Sequence, residues 1–79
     1  MNEVITVFEL FTISGDELGR YQENKGWFKT RAAAEKASEL LGHPYWEIQP
    51  RKALELESGE VYILSQEAPI YFGMNRLRR

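Results

Sequence analysis

The first feature of the chain is an apolar run that does not alternate with polar residues. Residues 4–13 read VITVFELFTI and are rich in β-branched and aromatic side chains, which is typical of a β-strand. Because apolar side chains fall on both faces, the strand is predicted to be central, with a helix or a partner subunit as a second covering layer. Gly15 and Gly19 mark a hairpin turn, and its mostly polar second arm, residues 18–28, is expected to be the more exposed.

The period then changes to that of a helix. Thr30 is a good N-cap, the segment RAAAEKASELL after it is dense in strong helix formers, and Gly42 ends it. Spacings of three and four residues predict one apolar stripe that faces the sheet. The members of this stripe are Ala33, Ala34, Ala37, Leu40 and Leu41.

Beyond the helix, the alternation typical of strands returns. Residues 45–49 form a predicted short strand that ends at Pro50, because proline has no amide hydrogen to donate. Trp46 is in register with Ile48 and is therefore expected in the core. Tyr45 is expected to face outward.

A second hairpin gives the clearest local pattern. Apolar and acidic residues alternate over residues 53–57, Ser58-Gly59 provides a turn, and alternation continues over residues 60–65. Residues 70–72 are predicted to form a last short strand. Together these elements predict an α+β fold in the order ββαβββ, with one helix packed on a face of an antiparallel sheet of four to five strands.

Length and composition limit the classes of protein that fit. A chain of 79 residues builds one core, so we expect a single α+β domain over residues 1–73 and a frayed basic tail over residues 74–79. Ten Lys and Arg against twelve Asp and Glu give a formal charge of −2, so no overall field attracts nucleic acid or anionic lipid. The lack of cysteine favours a reducing, cytoplasmic location, and no stretch reaches the ~20 apolar residues of a membrane-spanning helix.

Residues that serve common enzyme mechanisms are scarce. His43 is the only histidine, there is no cysteine, and the sequence has no nucleophile-elbow, phosphate-loop, EF-hand or HExxH motif. His43 lies between Gly42 and Pro44, where we expect its ring to bond the last helical carbonyls rather than a ligand. The sequence therefore predicts a protein that is not an enzyme and has no cofactor or metal.

Aromatic and acidic residues on the predicted strands favour a surface that binds another protein. The preferred function is therefore a small protein-binding module whose partner is a protein of unknown identity. Its candidate residues are Tyr21, Tyr45, Glu55, Glu57, Tyr62 and Tyr71. The glutamates also suit the protection of an exposed sheet edge. A homodimer paired through a strand edge is a second form of this prediction, because the first strand needs more cover than one Ala-rich helix supplies.

The alternative function is weak nucleic-acid binding. The segment GWFKTR, residues 26–31, combines two aromatic and two cationic residues at the start of the helix, a pattern that suits base stacking and phosphate contact. The candidate residues are Trp27, Lys29, Arg31, Arg51 and Lys52. In the competing interpretation, Trp27 or Phe28 anchors the helix in the core. An exposed Trp27 would favour nucleic-acid binding, and a buried Trp27 would favour the core interpretation.

Over its first half, the chain resembles small bacterial ββα domains of unknown function, through two strands, the segment GWFKT and an Ala-rich helix. This motif is too degenerate to transfer a site, so no family is assigned. Short, cysteine-free α+β proteins without catalytic residues are frequent among phage and mobile-element accessory proteins that bind or inhibit a host protein. We expect this protein to be of that kind.

Overall fold

Six strands and one helix make up residues 2–75, the part of the chain that the computed structural model describes. The elements are β1 (Glu3–Asp16), β2 (Gly19–Phe28), α1 (Arg31–Leu41), β3 (Trp46–Glu55), β4 (Val61–Ile63), β5 (Pro69–Ile70) and β6 (Gly73–Met74). All strands pair antiparallel in one sheet with the order β5-β4-β3-β1-β2-β6. The predicted α+β class with one helix is confirmed, but the sheet has six strands rather than four or five.

The two edges of the sheet come from one short segment, so the sheet must be strongly curled. β5 pairs with β4 at one edge and β6 pairs with β2 at the other, yet Ile70 and Gly73 are three residues apart. Such a segment spans at most about 11 Å, whereas six strands in a flat sheet would span roughly 24 Å. The sheet therefore closes on itself like a barrel, and residues 69–74, here named the closing segment, join its edges.

The curled sheet has an inner face that is filled by one hydrophobic cluster. Val7 and Ala53 have no exposed surface, and Trp27 is 7% exposed. The cluster consists of Val7, Trp27, Ala53, Val61, Ile63 and Ile70, with Ile5 packed against it. Burial of each large apolar side chain stabilises the fold by roughly 1.5–3 kcal/mol. Because five strands contribute to this cluster, it holds the curled sheet together.

The helix begins and ends where the sequence predicts. Thr30 Oγ1 accepts a hydrogen bond from the Ala33 amide at 3.1 Å, which satisfies one of the free amides of the first turn. Gly42 follows the last helical residue with a φ of 71°, a left-handed conformation that favours glycine. Within residues 2–75, no helix has the length and apolarity needed to cross a membrane.

Small residues form the side of α1 that contacts the outer face of the sheet. Ala34, Ala37 and Ser38 are buried. The second hydrophobic cluster lies here and contains Leu10, Phe28, Ala34 and Ala37, with Phe8 and Ile48 packed against it. The predicted stripe is wrong for Ala33 and Leu40, which are exposed. At about 100° per residue, both lie roughly 100–120° around the helix from Ala34 and so outside the buried arc.

The chain itself covers β1 on both faces. Val7 and Phe8 are successive strand residues and therefore point to opposite sides. Val7 packs in the inner cluster, and Phe8 packs against the cluster beneath α1. The apolar run thus has the two covering layers that its pattern predicts. The second layer is the curled sheet, so a partner subunit is not needed to cover β1.

β3 continues through Pro50, where the sequence predicts the end of a strand. Pro50 lies opposite Phe8, and the pairing with β1 continues to Glu55 opposite Glu3. β4 pairs with β3 only from Ala53 onwards, so within residues 2–75 the other edge of β3 has no neighbouring strand at Pro50. The missing amide hydrogen therefore breaks no ladder there. The predicted boundary at Pro50 is wrong, whereas the second predicted hairpin is confirmed by the pairing of β3 with β4.

The closing segment differs from the prediction for the C-terminal region. The predicted strand over residues 70–72 is wrong: only Ile70 lies in a strand, β5, residues 71 and 72 lie in none, and β6 follows at the opposite edge of the sheet. Met74 pairs with Gly26 in β6, and the Asn75 amide donates to the Lys25 carbonyl at 2.7 Å. The sheet therefore extends into the segment predicted as a frayed tail, of which residues 76–79 lie outside the described residues.

Candidate functional site

The β1–β2 hairpin extends past its neighbouring strands as a two-stranded ribbon. β3 begins opposite Thr12, and β6 pairs with β2 only at Gly26 and Trp27. In the described chain, residues 14–16 and 19–21 therefore have no strand partners except each other. At about 3.3 Å per residue, the ribbon projects roughly 10 Å from the sheet. Two strands without a covering layer expose side chains on both faces.

Large apolar side chains are exposed on and beside this ribbon. Leu18, in the turn, is 96% exposed, and Tyr21 and Tyr45 are 65% and 68% exposed, as predicted for both tyrosines. Trp46 is 40% exposed, so its predicted place in the core is wrong. It is the first residue of β3 and belongs to neither hydrophobic cluster, although Thr12 opposite it is buried. We name these four residues the hairpin-end surface.

The hairpin-end surface wraps around both faces of the ribbon. Trp46 lies opposite Thr12, and Tyr21 lies opposite Ser14. Thr12 and Ser14 are two residues apart, so Trp46 and Tyr21 share a face, which is the one that bears α1. Tyr45 immediately precedes Trp46 and points to the opposite face. A partner that contacts the whole surface must therefore enclose the ribbon.

An open cleft of about 470 Å³ lies where the ribbon meets the segment between α1 and β3. It is lined by Ile13, Ser14, Gly15, Arg20, His43 and Tyr45, and we name it the hairpin cleft. A hydrogen bond from the Ile13 amide to the Tyr45 carbonyl, at 3.1 Å, fixes the two sides relative to each other. The volume of the hairpin cleft falls within the range of small-ligand sites.

Two side chains give the hairpin cleft hydrogen-bond donors. The Tyr45 amide donates to His43 Nδ1 at 3.1 Å, so a neutral imidazole carries its proton on Nε2 and donates from there. His43 thus caps the turn that follows the helix, and not the helical carbonyls as predicted. Arg20 supplies a guanidinium, and no carboxylate within residues 2–75 forms an ion pair with it.

Two acidic side chains near the cleft, Glu23 and Asp16, have partners of their own. Lys25 Nζ donates to Glu23 Oε1 in an ion pair. The hydrogen bond and the charge of Lys25, with a smaller contribution from His43, hold the pKa of the Glu23 carboxyl below its ordinary value. Asp16 Oδ1 accepts a hydrogen bond from the Leu18 amide at 2.8 Å. Arg20 lines the cleft and forms no ion pair with the described residues.

The other predicted protein-binding residues lie at the far end of the molecule. Glu55 pairs with Glu3 at the start of β1, roughly 40 Å along that strand from its turn. Glu57 lines the same open cleft as Glu55, Tyr62 is half-buried, and Tyr71 is 78% exposed in the closing segment. The six predicted residues therefore form two separate groups, of which only Tyr21 and Tyr45 belong to the hairpin end.

Trp27 is not available to stack on a nucleic-acid base. Its ring belongs to the inner cluster, and Phe28 belongs to the outer one. The two residues anchor the core on opposite faces of the sheet. The predicted nucleic-acid surface therefore lacks its aromatic platform.

The predicted basic residues of β3 do not form a common patch. Arg51 Nη1 donates to Glu9 Oε1 at 2.8 Å, and Lys52 Nζ donates to Thr6 Oγ1 at 3.2 Å. Because Arg51 and Lys52 are successive strand residues, they point to opposite faces of the sheet. A single strand of nucleic acid lying on one face would contact only one of them.

The two predicted basic residues near the start of α1 lie over aromatic rings. Lys29 Nζ lies 5.3 Å from the centroid of Phe72, and the guanidinium carbon of Arg31 lies 5.5 Å from that of Phe8. Both distances are typical of cation–π contacts. These cations therefore cover apolar rings of the domain itself.

Three residues of the site have weak sequence signals. The signal at Leu18 is its place in a two-residue hairpin turn. A large apolar side chain is unusual there, because such turns favour Gly, Asn and Asp. Arg20 lies in an arm that is recognisably polar, but the cleft beside it forms only when His43 returns to the hairpin after the helix. Trp46 follows the alternation of a buried strand, but it is the first residue of β3 and is 40% exposed there.

The chain has no match among protein-family models, curated proteins or solved structures. The function is therefore inferred from three features of the site. These are the projecting ribbon, the exposed apolar side chains on it, and the cleft that contains Arg20 and His43.

Proposed function

We propose that this protein is a small protein-binding module that contacts its partner through the hairpin-end surface. The observation that carries the proposal is the exposure of Leu18, Tyr21, Tyr45 and Trp46 on and beside one projecting ribbon. Tyrosine and tryptophan are among the residues that contribute most to binding energy in protein interfaces. Burial of their apolar area stabilises a complex by roughly 25 cal/mol per Å² before the losses of association.

The shape of the surface favours a partner with a groove. The ribbon is narrow. Tyr21 on the ribbon and Trp46 beside it share one face, and Tyr45 lies beside it on the other. A flat partner would cover one face only. A groove that accepts the hairpin would cover both, with Leu18 at the tip inserted deepest.

The proposed function is not enzymatic, and this part of the proposal rests on the residue types of the chain. Nucleophilic catalysis usually needs a base beside a Ser, Cys, Thr or Lys. The chain has one histidine and no cysteine. His43 Nδ1 is engaged by the Tyr45 amide, which leaves one ring nitrogen for any further contact.

A homodimer is a second form of the proposal. The outer edge of β2 has no neighbouring strand from Gly19 to Asn24 in the described chain, and a second copy of the chain can pair at such an edge. Light scattering on the purified protein tests this form. A mass of twice 9.2 kDa would support the dimer, and a monomer at high protein concentration would contradict it.

Site-specific crosslinking in the cells that carry the protein tests the main proposal. A benzophenone amino acid replaces Tyr21 in one variant and Tyr71 in the matched control, because both side chains are well exposed but lie at opposite ends. We expect a specific protein adduct from position 21 that survives nuclease, and none from position 71. An adduct from position 71 alone would move the interface to the far end of the molecule.

The same experiment separates the remaining alternatives. An adduct that nuclease removes would favour the nucleic-acid function. Mass spectrometry of a protein adduct identifies the partner. A host protein that loses activity on binding would support the narrower form of the proposal, an accessory protein of a phage or mobile element that inhibits its host.

A further inference from the structure

We propose that the hairpin cleft binds a carboxylate side chain from an extended acidic segment of the partner protein. The inference rests on the proposed protein-binding function and names the chemistry that one part of the interface recognises. The cleft is about 470 Å³ in volume and lies at the base of the projecting ribbon. A partner that encloses the ribbon necessarily passes over it.

The donors in the cleft favour a carboxylate. The Arg20 guanidinium presents parallel N–H groups that match the two oxygens of a carboxylate. His43 adds the N–H of Nε2, because its Nδ1 accepts from the Tyr45 amide. Lys25, in the same strand, is already paired with Glu23. Arg20 has no such partner within residues 2–75, so its charge is left for a group from outside.

The backbone beside the cleft favours an extended ligand. The Ile13 amide bonds to the Tyr45 carbonyl, which is the last contact of β1 with the β3 side in the described chain. Beyond this bond no strand of the described chain pairs with β1 on that side, and Gly15 there has a φ of 135°, outside regular strand geometry. An extended segment that adds to β1 at Gly15 would make main-chain hydrogen bonds there. Arg20 pairs with Gly15 across the ribbon and is therefore close to such a segment.

The apolar part of the lining specifies a second position of the ligand. Ile13 is half-buried, and Tyr45 is mostly exposed, so both have apolar surface left to cover. Side chains two residues apart in an extended segment lie on the same face. A segment with an acidic residue next to Arg20 therefore places the residue two positions away toward Ile13 and Tyr45, and an apolar side chain fits there.

A peptide titration of the full chain tests the inference. The probe is acetyl-Thr-Glu-Thr-Val-Thr-amide, and the matched control has Gln in place of Glu. Amide resonances of the isotope-labelled protein are followed by NMR. We expect the Glu peptide to shift the resonances of Gly15, Arg20 and Tyr45, and the Gln peptide to bind about tenfold more weakly, because a charge-assisted hydrogen bond becomes a neutral one.

Two variants locate the binding charge. Arg20→Gln is expected to weaken binding of the Glu peptide by about tenfold. Lys36→Gln removes the same charge from the exposed surface of α1, outside the cleft, and is expected to leave the affinity unchanged. Arg20 is exposed, so the variant retains the fold, which the unchanged NMR resonances of the core verify.

Several outcomes would overturn the inference. Equal affinity for the Glu and Gln peptides, no shift of the cleft resonances, or unchanged affinity in Arg20→Gln would each do so. Inorganic phosphate that saturates the same resonances more tightly than the Glu peptide would reassign the cleft to a phosphate ligand. A failed peptide test together with an adduct from position 21 would remove this inference alone. Peptide binding without any adduct would instead count against the proposed module.

Discussion

Gly26 lies so close to Gly73 that a Cβ atom at position 26 would stand 2.5 Å from the Gly73 carbonyl oxygen. The same Cβ atom would stand 3.1 Å from the Cα of Met74. This contact lies where β6 pairs with β2 and the closing segment completes the sheet. The nearest atom, the Gly73 carbonyl oxygen, is backbone, so it cannot move aside as the end of a flexible side chain can.

Gly26→Ala should therefore weaken the closure of the sheet. We expect the free energy of unfolding to fall by about 2 kcal/mol, since the added methyl group pushes the closing segment away from β2. Urea denaturation followed by circular dichroism measures the change. Gly19→Ala in the same strand is the control, because a Cβ there meets nothing within 4 Å. Equal midpoints for the two variants would contradict the close contact.

Truncation of the two tryptophans should affect the stability of the domain very differently. Trp27→Ala removes a large side chain from the inner cluster and is expected to cost ~3–5 kcal/mol, enough to unfold much of a domain of this size. Trp46→Ala removes a ring that is 40% exposed and should leave the domain folded. Thermal melts of both variants measure the difference. A folded, stable Trp27→Ala variant would show that the inner cluster does not depend on this ring.

Glu9 should be the polar residue on which the three central strands depend most. Its carboxylate accepts from Arg51 Nη1 at 2.8 Å and from Asn24 Nδ2 at 2.9 Å, so it links β1 to both neighbours. Glu9→Gln is expected to lower the free energy of unfolding by about 1–2 kcal/mol. Lys52→Gln, at an exposed position of the same sheet, should change it by less than ~0.5 kcal/mol.

A double-mutant cycle tests the Glu9 prediction further. Because Glu9 and Arg51 are in direct contact, the cycle of Glu9→Gln and Arg51→Gln should give a coupling free energy of about 1 kcal/mol. Additive effects of the two substitutions on the free energy of unfolding would mean that the interaction between Glu9 and Arg51 does not stabilise the fold. Denaturant unfolding of the four proteins supplies the data.

Lys25→Gln should raise the pKa of Glu23 toward its ordinary value. The hydrogen bond and charge of Lys25 are the main causes of the lowered pKa in the folded protein. A lowered folded-state pKa contributes stability that is present above the pKa of the unfolded chain and is lost as pH falls through the folded value. NMR titration of the Glu23 carboxyl measures the shift. An identical titration curve in Lys25→Gln would contradict the assigned cause.

Elements that depend on local chemistry were predictable from the sequence. The helix is bounded by the Thr30 cap and by Gly42, and each of these residues affects only the few residues next to it in the sequence. The second hairpin follows from alternation around Ser58-Gly59. The exposure of Tyr21 and Tyr45 follows from the polar arm and from the alternation after the helix.

Features that depend on distant parts of the chain were not predictable. Pro50 fits within β3 only because β4 is too short to pair with it there. The break in the closing segment at residues 71 and 72, between β5 and β6, depends on the curl of the whole sheet. The hairpin cleft needs His43, which follows the helix, to approach Arg20, which precedes it. No pattern within a short window of sequence contains these relationships.

The closing segment also determines when this domain can be completed during protein synthesis. β6 pairs with β2 across most of the length of the chain, so the ring of strands cannot close until Met74 has left the ribosome. Until then, the nascent chain exposes two unpaired strand edges and the interior around Trp27. Long-range contacts of this kind also slow folding, because a large loop must close first.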